Sequence, residues 1–425
     1  MGTIHKNEAF YGVAGFPILH SQSPELFALF SGRNGQYGRF SAATYDELEV
    51  FLACFPLNGL NITSPLKKAA FKLAHHSDKT VKAVEAANLL VKEDGQWKAY
   101  NTDYSAVREL IRKIGLCRRN RVLVAGAGGA GRAAALAALH EGMIVSITNR
   151  TGAKGKEAAE MLNIDFLPWD SSWEGYNLLI SALPGLADPL AGHPEFRGII
   201  IDAAYPRSKT TLRGQKRGLK AVRGEEWLIE QGKASYTIMT RLEPFRAGIE
   251  NLTSNSCRKR KPLILTGFMG SGKTAVAKRL EEEGLKVFST DGEIEKRVGM
   301  SVNEAFSNLG EAKFRSLERE IVGRGDLCSC DVIDSGGGIW LDPENRKYLP
   351  EEAFFLFLWT TPETAFKRAS DRPLLKKRSI REARKLYEKR LAQYISLSDL
   401  IIPTELLSSR EAAERLKREM ENVSG

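Results

Sequence analysis

Cysteine is scarce in this chain of 425 residues: Cys54, Cys117, Cys257, Cys328 and Cys330 are odd in number and form no CxxC pair. That scatter argues against a disulfide framework or a zinc site, so reduced, mostly structural thiols are expected. Long apolar runs are also missing. None approaches the roughly 18 residues of a spanning helix, so no membrane partner is expected. The opening MGTIHKNEAFYGVAG lacks the charged, apolar and small-residue regions of a secretory leader, and a cytoplasmic protein is expected. No repeat has a solenoid period, and no low-complexity segment exceeds a few residues. Charge of one sign is nowhere striped: the net +10 is spread along the chain. Its densest run, Arg258 to Lys261, follows the polar stretch NLTSNSC and reads as a solvated linker, not a nucleic-acid patch.

What the chain does have is length for about three domains and an alternating pattern. From 121 to 202, short apolar runs (RVLVAG, MIVSITN, NLLISA, GIIIDAAY) alternate with helical stretches, the signature of parallel strands joined by crossover helices. A second such region runs from LILTG at 263 through LKVF, VIDSG and AFFLFLW to DLII at 399. Before both lies a mixed segment, to about Gly115, with strand-like YGVAG and NGLNIT and helical ELFALF.

Two glycine loops carry most of the chemistry. GAGGAG at 126 to 131 fits GxGxxG between the strand RVLVA and a helix. There Gly126 makes a tight turn, Gly128 admits a pyrophosphate and Gly131 lets helix and strand pack; with Gly129 and Ala130 they form the cradle ahead of a small-residue helix expected from Arg132, whose N-terminus faces the phosphate. The second strand ends in Asn149, Arg150 and Thr151, with no acidic residue for a ribose hydroxyl. A guanidinium and a hydroxyl at that place suit the extra phosphate of NADP. GFMGSGKT at 267 to 274 fits the more specific GxxxxGK[ST]. Gly270, Ser271 and Gly272 would wrap phosphate oxygens, Lys273 would reach the terminal phosphates of ATP or GTP, and Thr274 would face magnesium.

Three polar segments, HSQSP (20–24), NITSPLK (61–67) and NTD (101–103), are ordinary turn chemistry when taken singly. Together and in order, over about residues 8 to 252, they resemble shikimate dehydrogenase. GFPILHSQSP at 15–24, NITSPLK, Asn101-Thr102-Asp103, GAGGAG, the NRT at 149–151, DAAYPRSKTTL at 202–212 and GEEWLIEQG at 224–232 carry the resemblance. It implies that Ser21 and Ser23 hold a substrate carboxylate. Thr63, Asn88, Asp103 and Gln231 would take its hydroxyl or carbonyl oxygens, with Tyr205 near the substrate and Gly224 near the cofactor. Lys67 and Asp103 would be the catalytic pair, an ammonium that stabilises and protonates developing alkoxide charge beside a carboxylate that orients it. EAANLL (85–90) and SALP (181–184) depart from the family pattern.

Residues 262 to about 418 resemble shikimate kinase, through the phosphate loop, FSTDGEIE (288–295), GEAKFRSLE (310–318), SGGG (335–338), RPLL (372–375) and RLAQY (390–394). The resemblance implies Asp291 on the acceptor hydroxyls, Arg315 and Arg390 on the carboxylate, Gly336, Gly337 and Gly338 against the ring, and Arg372 closing on the phosphoryl group. Ser289 stands where the family has an aspartate near magnesium, and Asp334, at a strand end, is a candidate substitute.

The expected architecture is α/β throughout. A substrate domain at 1–105, completed by a helix at about 238–252, precedes a Rossmann NADP-binding domain at 106–237. A linker at 253–261 then leads to a P-loop kinase domain at 262–425, parallel α/β and nucleoside monophosphate kinase-like. The resemblances imply NADPH reduction of 3-dehydroshikimate to shikimate, then phosphorylation by magnesium ATP to shikimate 3-phosphate, with no nucleic-acid partner. Two alternatives are quinate or shikimate oxidation joined to a kinase of another polyol, and a catalytically impaired metabolite sensor.

Overall fold

A computed structural model describes residues 9–32, 35–184, 186–206, 208–245, 262–324, 326–369 and 379–421. The expected linker at 253–261 lies outside the described residues, as do 246–252 of the expected closing helix; the helix described there is Gly224–Thr240. The chain divides into two compact units, one of residues 1–21, 36–56 and 255–425, the other of 22–35 and 57–254.

The first unit is built on parallel strands in the order Val287–Ser289, Val332–Asp334, Leu263–Thr266, Phe354–Trp359, Leu400–Pro403, Gln36–Ser41, Phe10–Gly15. Strands such as FFLFLW and LIIP read as nearly unbroken apolar runs because helices cover both faces of such a sheet. One core cluster joins Val13, Ile18 and Leu19 to Leu265, Val276, Leu356, Leu400, Ile402 and Leu416. The phosphate-loop strand Leu263–Thr266 sits inside the sheet and delivers its loop to the helix Lys273–Glu282. The last helix, Ser409–Glu421, buries Ala412, Ala413, Leu416 and Glu419, one face at helical spacing.

The second unit has two sheets. In the smaller, Leu57–Ile62 lies antiparallel to Leu89–Glu93, which lies antiparallel to Gln96–Tyr100, with His76–Ser77 parallel at the edge. Asp94 and Gly95, both at positive φ, form the tight hairpin turn. The helix Thr102–Ile114, capped by Asn101 Oδ1 accepting from the Tyr104 N–H at 3.3 Å, leads into the second sheet. That sheet is wholly parallel, in the order Ala221–Val222, Ile199–Asp202, Leu178–Ser181, Arg121–Ala125, Ile144–Thr148, Asp165–Phe166. The chain winds one way from Arg121–Ala125 and then the other, so the order reverses between that strand and Leu178–Ser181. Dinucleotides bind outside the carboxyl ends of strands at such a reversal.

The expected strands and helices fall where the apolar runs lie: YGVAG in Phe10–Gly15, NGLNIT in Leu57–Ile62, ELFALF in Ser23–Phe30. The first Rossmann helix, Gly129–His140, opens three residues before the expected Arg132, because the glycines themselves form its first turn.

Candidate active sites

In the second unit, Lys67 opens the helix Lys67–Leu73 and Asp103 lies in the first turn of Thr102–Ile114, where the helix dipole favours a carboxylate. Their side chains meet, Lys67 Nζ donating to Asp103 Oδ2 at 2.5 Å, with side-chain exposures of 19% and 7%. The other carboxylate oxygen, Oδ1, accepts from Trp227 Nε1 at 3.0 Å. Asp103 is thereby oriented by two donors from elements far apart in sequence.

Asn88, 2% exposed, uses both ends of its amide. Its Oδ1 accepts from the Thr102 N–H at 2.6 Å, and its Nδ2 donates to Thr102 Oγ1 at 3.0 Å and Gln231 Oε1 at 3.3 Å. Ser235 Oγ joins Thr102 Oγ1 at 3.0 Å and accepts from Asn61 Nδ2 at 2.9 Å. Trp227, Gln231 and Ser235 thus form one face of the helix Gly224–Thr240. Of these, Trp227 and Ser235, with Asn61 and Thr102, were not singled out as site residues in the sequence; the four-residue spacing from Gln231 was the available signal.

Thr63 follows the strand Leu57–Ile62 and accepts the Leu66 N–H at its carbonyl, 2.9 Å. Tyr205 is half-buried ahead of the helix Lys209–Lys216. That segment is tied down by Asp202, wholly buried, whose Oδ2 accepts from Ser208 Oγ and from Thr211 Oγ1, the latter at 3.1 Å. Burial pushes the Asp202 carboxyl up, against the pull of these hydroxyls and the Ala204 N–H. A Cβ at Gly224 would stand 2.2 Å from the Ala204 carbonyl oxygen, so Gly224 has a packing reason for its identity.

The first glycine loop fits a dinucleotide. A Cβ at Gly131 would fall 1.8 Å from the Gly126 carbonyl oxygen, whereas one at Gly128 would meet open space. Gly129 stands against the catalytic candidates: a Cβ there would lie 3.3 Å from Lys67 Cδ. Ala130 is in the same first helical turn. Asn149 Oδ1 accepts from the Ala127 N–H at 3.2 Å and its Nδ2 donates to the Thr151 carbonyl at 3.0 Å, while Arg150 and Thr151 are exposed.

In the first unit, Ser21 is buried and its carbonyl accepts from Arg39 Nε at 3.1 Å and Nη2 at 2.8 Å. Ser23, which begins the helix Ser23–Phe30, belongs to the second unit.

The first unit also holds a cavity of about 340 Å³ lined by Gly270, Gly272, Lys273, Thr274, Asp291, Arg315, Glu318, Gly336, Gly337, Gly338, Arg368 and Arg390. The expected nucleotide and substrate residues of the kinase that are described, apart from the buried Ser271 of the loop itself, meet in this one cavity. Arg372 lies outside the described residues. Lys273 is 8% exposed and donates to the Gly267 and Phe268 carbonyls at 3.0 and 3.1 Å. Arg315 Nη1 donates to Glu318 Oε2 at 2.6 Å. Burial pushes the Glu318 carboxyl up, opposed mainly by Arg315, while Asp291 adds to the rise and Arg390 offsets part of it. Tyr394 donates its hydroxyl proton to the Gly337 carbonyl, and Thr290 Oγ1 accepts from the Gly336 N–H at 2.9 Å. Glu318 and Arg368 were not singled out in the sequence; Glu318 sits one helical turn after Arg315 inside GEAKFRSLE.

Ser289 caps the helix Thr290–Val298, its Oγ accepting from the Gly292 N–H at 3.2 Å, and is the register partner of Asp334 on the neighbouring strand. Among the described residues no group of three His, Cys, Asp or Glu could hold a metal alone.

Two known families match separate parts of this chain. The shikimate dehydrogenase substrate binding domain matches residues 13–90, and shikimate kinase matches 269–421. Shikimate dehydrogenase (NADP(+)) of Anaeromyxobacter sp. (strain K) is 30% identical over 264 residues, covering 55% of this chain and 91% of that protein. Shikimate kinase of Caldicellulosiruptor bescii is 37% identical over 161 residues, covering 37% of this chain and 93% of that protein. Among solved structures, shikimate 5-dehydrogenase from Thermus thermophilus in complex with NADP(H) and shikimate superposes with a TM-score of 0.51. It is 27% identical, and the match covers 57% of this chain and 98% of that one.

Proposed function

We propose that this chain, which belongs to the shikimate dehydrogenase family over its N-terminal part and to the shikimate kinase family over its C-terminal part, carries out two consecutive reactions. The first reduces 3-dehydroshikimate to shikimate, and the second phosphorylates the hydroxyl so formed to give shikimate 3-phosphate. Bound NADPH supplies the hydride, and bound magnesium ATP supplies the phosphoryl group.

The observation that carries the first half is the Lys67–Asp103 pair standing beside Gly129 of the dinucleotide loop. As hydride reaches the carbonyl carbon, the C=O π pair moves onto oxygen. Lys67 Nζ stabilises that charge and gives it a proton, and Asp103, held by Trp227, keeps the ammonium aimed. Asn88 and Gln231, already bonded to each other, take ring hydroxyls together with Thr63; Ser21 and Ser23 take the carboxylate, and Tyr205 borders the substrate. Arg150 and Thr151 receive the 2′-phosphate, which a carboxylate there would repel.

In the second half, Asp291 orients the acceptor hydroxyl and accepts its proton as oxygen attacks phosphorus. Lys273 neutralises the charge passing to the leaving diphosphate. Arg315 and Arg390 clamp the carboxylate, a task suited to planar two-pronged donors, and Glu318 fixes the Arg315 fork. Arg372 closes on the phosphoryl group. Thr274, with Asp334, serves magnesium.

Lys67→Ala tests the first half. NADPH consumption should fall by about 10²- to 10⁴-fold, the usual contribution of a positioned acid, while phosphorylation of added shikimate persists. Unchanged NADPH turnover would remove Lys67 from the reaction.

A further inference from the structure

We propose that Glu419, on the last helix of the kinase part, is a positioning residue for the dehydrogenase reaction, holding the turn Ile18 to Ser21 in the shape that presents Ser21 to the substrate carboxylate. The inference rests on the reading that Ser21 and Ser23 grip that carboxylate.

Glu419 is wholly buried on the otherwise apolar face of Ser409–Glu421. Its Oε2 accepts from the backbone N–H of Ile18 at 2.7 Å and of Leu19 at 2.9 Å, and its Oε1 accepts from Ser41 Oγ at 2.7 Å. Ile18 and Leu19 belong to GFPILHSQSP, the motif that ends in the two serines. The turn closes on itself, the Ser21 N–H donating to the Ile18 carbonyl at 2.9 Å, and Arg39 grips the Ser21 carbonyl with two nitrogens. One end of the turn is thus fixed by Glu419 and the other by Arg39.

Burial raises the Glu419 carboxyl, and the Ser41 hydroxyl, the two N–H groups and Arg415 pull it back. Arg415 is committed elsewhere, to a two-pronged bond with Glu47 at 2.8 Å on each side. A leucine at this place would fill the same core without burying a charge, but it would leave the Ile18 and Leu19 N–H groups and the Ser41 hydroxyl without the acceptor that Glu419 gives them. What the carboxylate adds is direction: its Oε2 accepts both N–H groups and so fixes their vectors in the substrate turn, while Oε1 is held by Ser41.

The test is steady-state oxidation of shikimate and of its methyl ester with NADP, on the full chain. Glu419→Ala should raise KM for shikimate about tenfold, with kcat and the KM for NADP held within about twofold, as for a lost charge-assisted hydrogen bond that acts only through binding. Glu419→Gln should restore KM, because its amide oxygen can accept both N–H groups while its NH₂ donates to Ser41. The methyl ester, lacking the charged carboxylate, should show no dependence on residue 419. Glu419→Leu keeps the core filled and should behave as Ala does, so the test stands even if the Ala variant does not fold. An unchanged KM in Ser21→Ala would sink the carboxylate reading and this inference with it. A raised KM in Ser21→Ala with wild-type KM in Glu419→Leu would overturn the inference alone.

Discussion

Phe51 is the residue at which an N-terminal substitution should be felt in the kinase. It is wholly buried, stacked on Trp359 at 5.1 Å between ring centroids with 29° between planes, and meets Phe40 and Phe55 edge-on at 5.1 and 6.2 Å. Trp359 ends the strand Phe354–Trp359 of the kinase part. Removing a buried Phe costs about 3 to 5 kcal/mol, of which each aromatic pair lost accounts for roughly 0.5 to 1.5. In a unit of this size a loss of 1 kcal/mol lowers the melting point by about 2 to 4 °C, so Phe51→Ala should lower the midpoint of kinase thermal inactivation by roughly 6 to 20 °C. The assay heats the full chain in steps and measures shikimate phosphorylation after each. A kinase midpoint equal to wild type would refute the claim that residues 36–56 and the kinase strands share one core.

Other substitutions test separate parts of the account. Gly131→Ala places a Cβ 1.8 Å from the Gly126 carbonyl oxygen, so NADPH binding followed by fluorescence titration should be lost while phosphorylation continues; retained binding would contradict the close packing. Asp202→Asn tests the buried carboxyl. Its folded pKa is raised by burial, so its stabilising contribution is full below the ordinary carboxylate range and is lost as pH rises through the raised value. Wild-type stability relative to the variant should therefore fall with rising pH in urea titrations, and a relative rise would reverse the argument. Asp334→Ala should raise the magnesium needed for half-maximal phosphorylation severalfold, because Ser289, its strand partner, offers no charge; an unchanged requirement removes Asp334 from the metal's surroundings.

The strands were legible because parallel strands covered on both faces must be apolar runs, as in FFLFLW and RVLVA. The glycine loops were legible because few residues can stand where Gly126, Gly131 and Gly272 stand. Trp227 and Ser235 were less so: each acts through a partner more than 120 residues away, and only the helix that aligns them with Gln231 reveals the shared face. Least legible was the company kept by Gln36–Ser41. QYGRFS is not an apolar run, yet it pairs with Leu400–Pro403 through Phe40 and Ile401. Glu419 and Arg415 look like solvated charges in SREAAERLKREME, and nothing local distinguishes them from their exposed neighbours. Their partners lie over 360 residues away, a distance no motif spans.

The central claim, two consecutive reactions on one chain, is tested most directly by supplying 3-dehydroshikimate, NADPH and magnesium ATP together and following products by mass spectrometry. Wild type should yield shikimate 3-phosphate, Lys273→Ala should stop at shikimate, and Lys67→Ala should leave 3-dehydroshikimate unconsumed. Shikimate 3-phosphate formed by the Lys67→Ala protein from 3-dehydroshikimate, or none formed by wild type, would contradict the account.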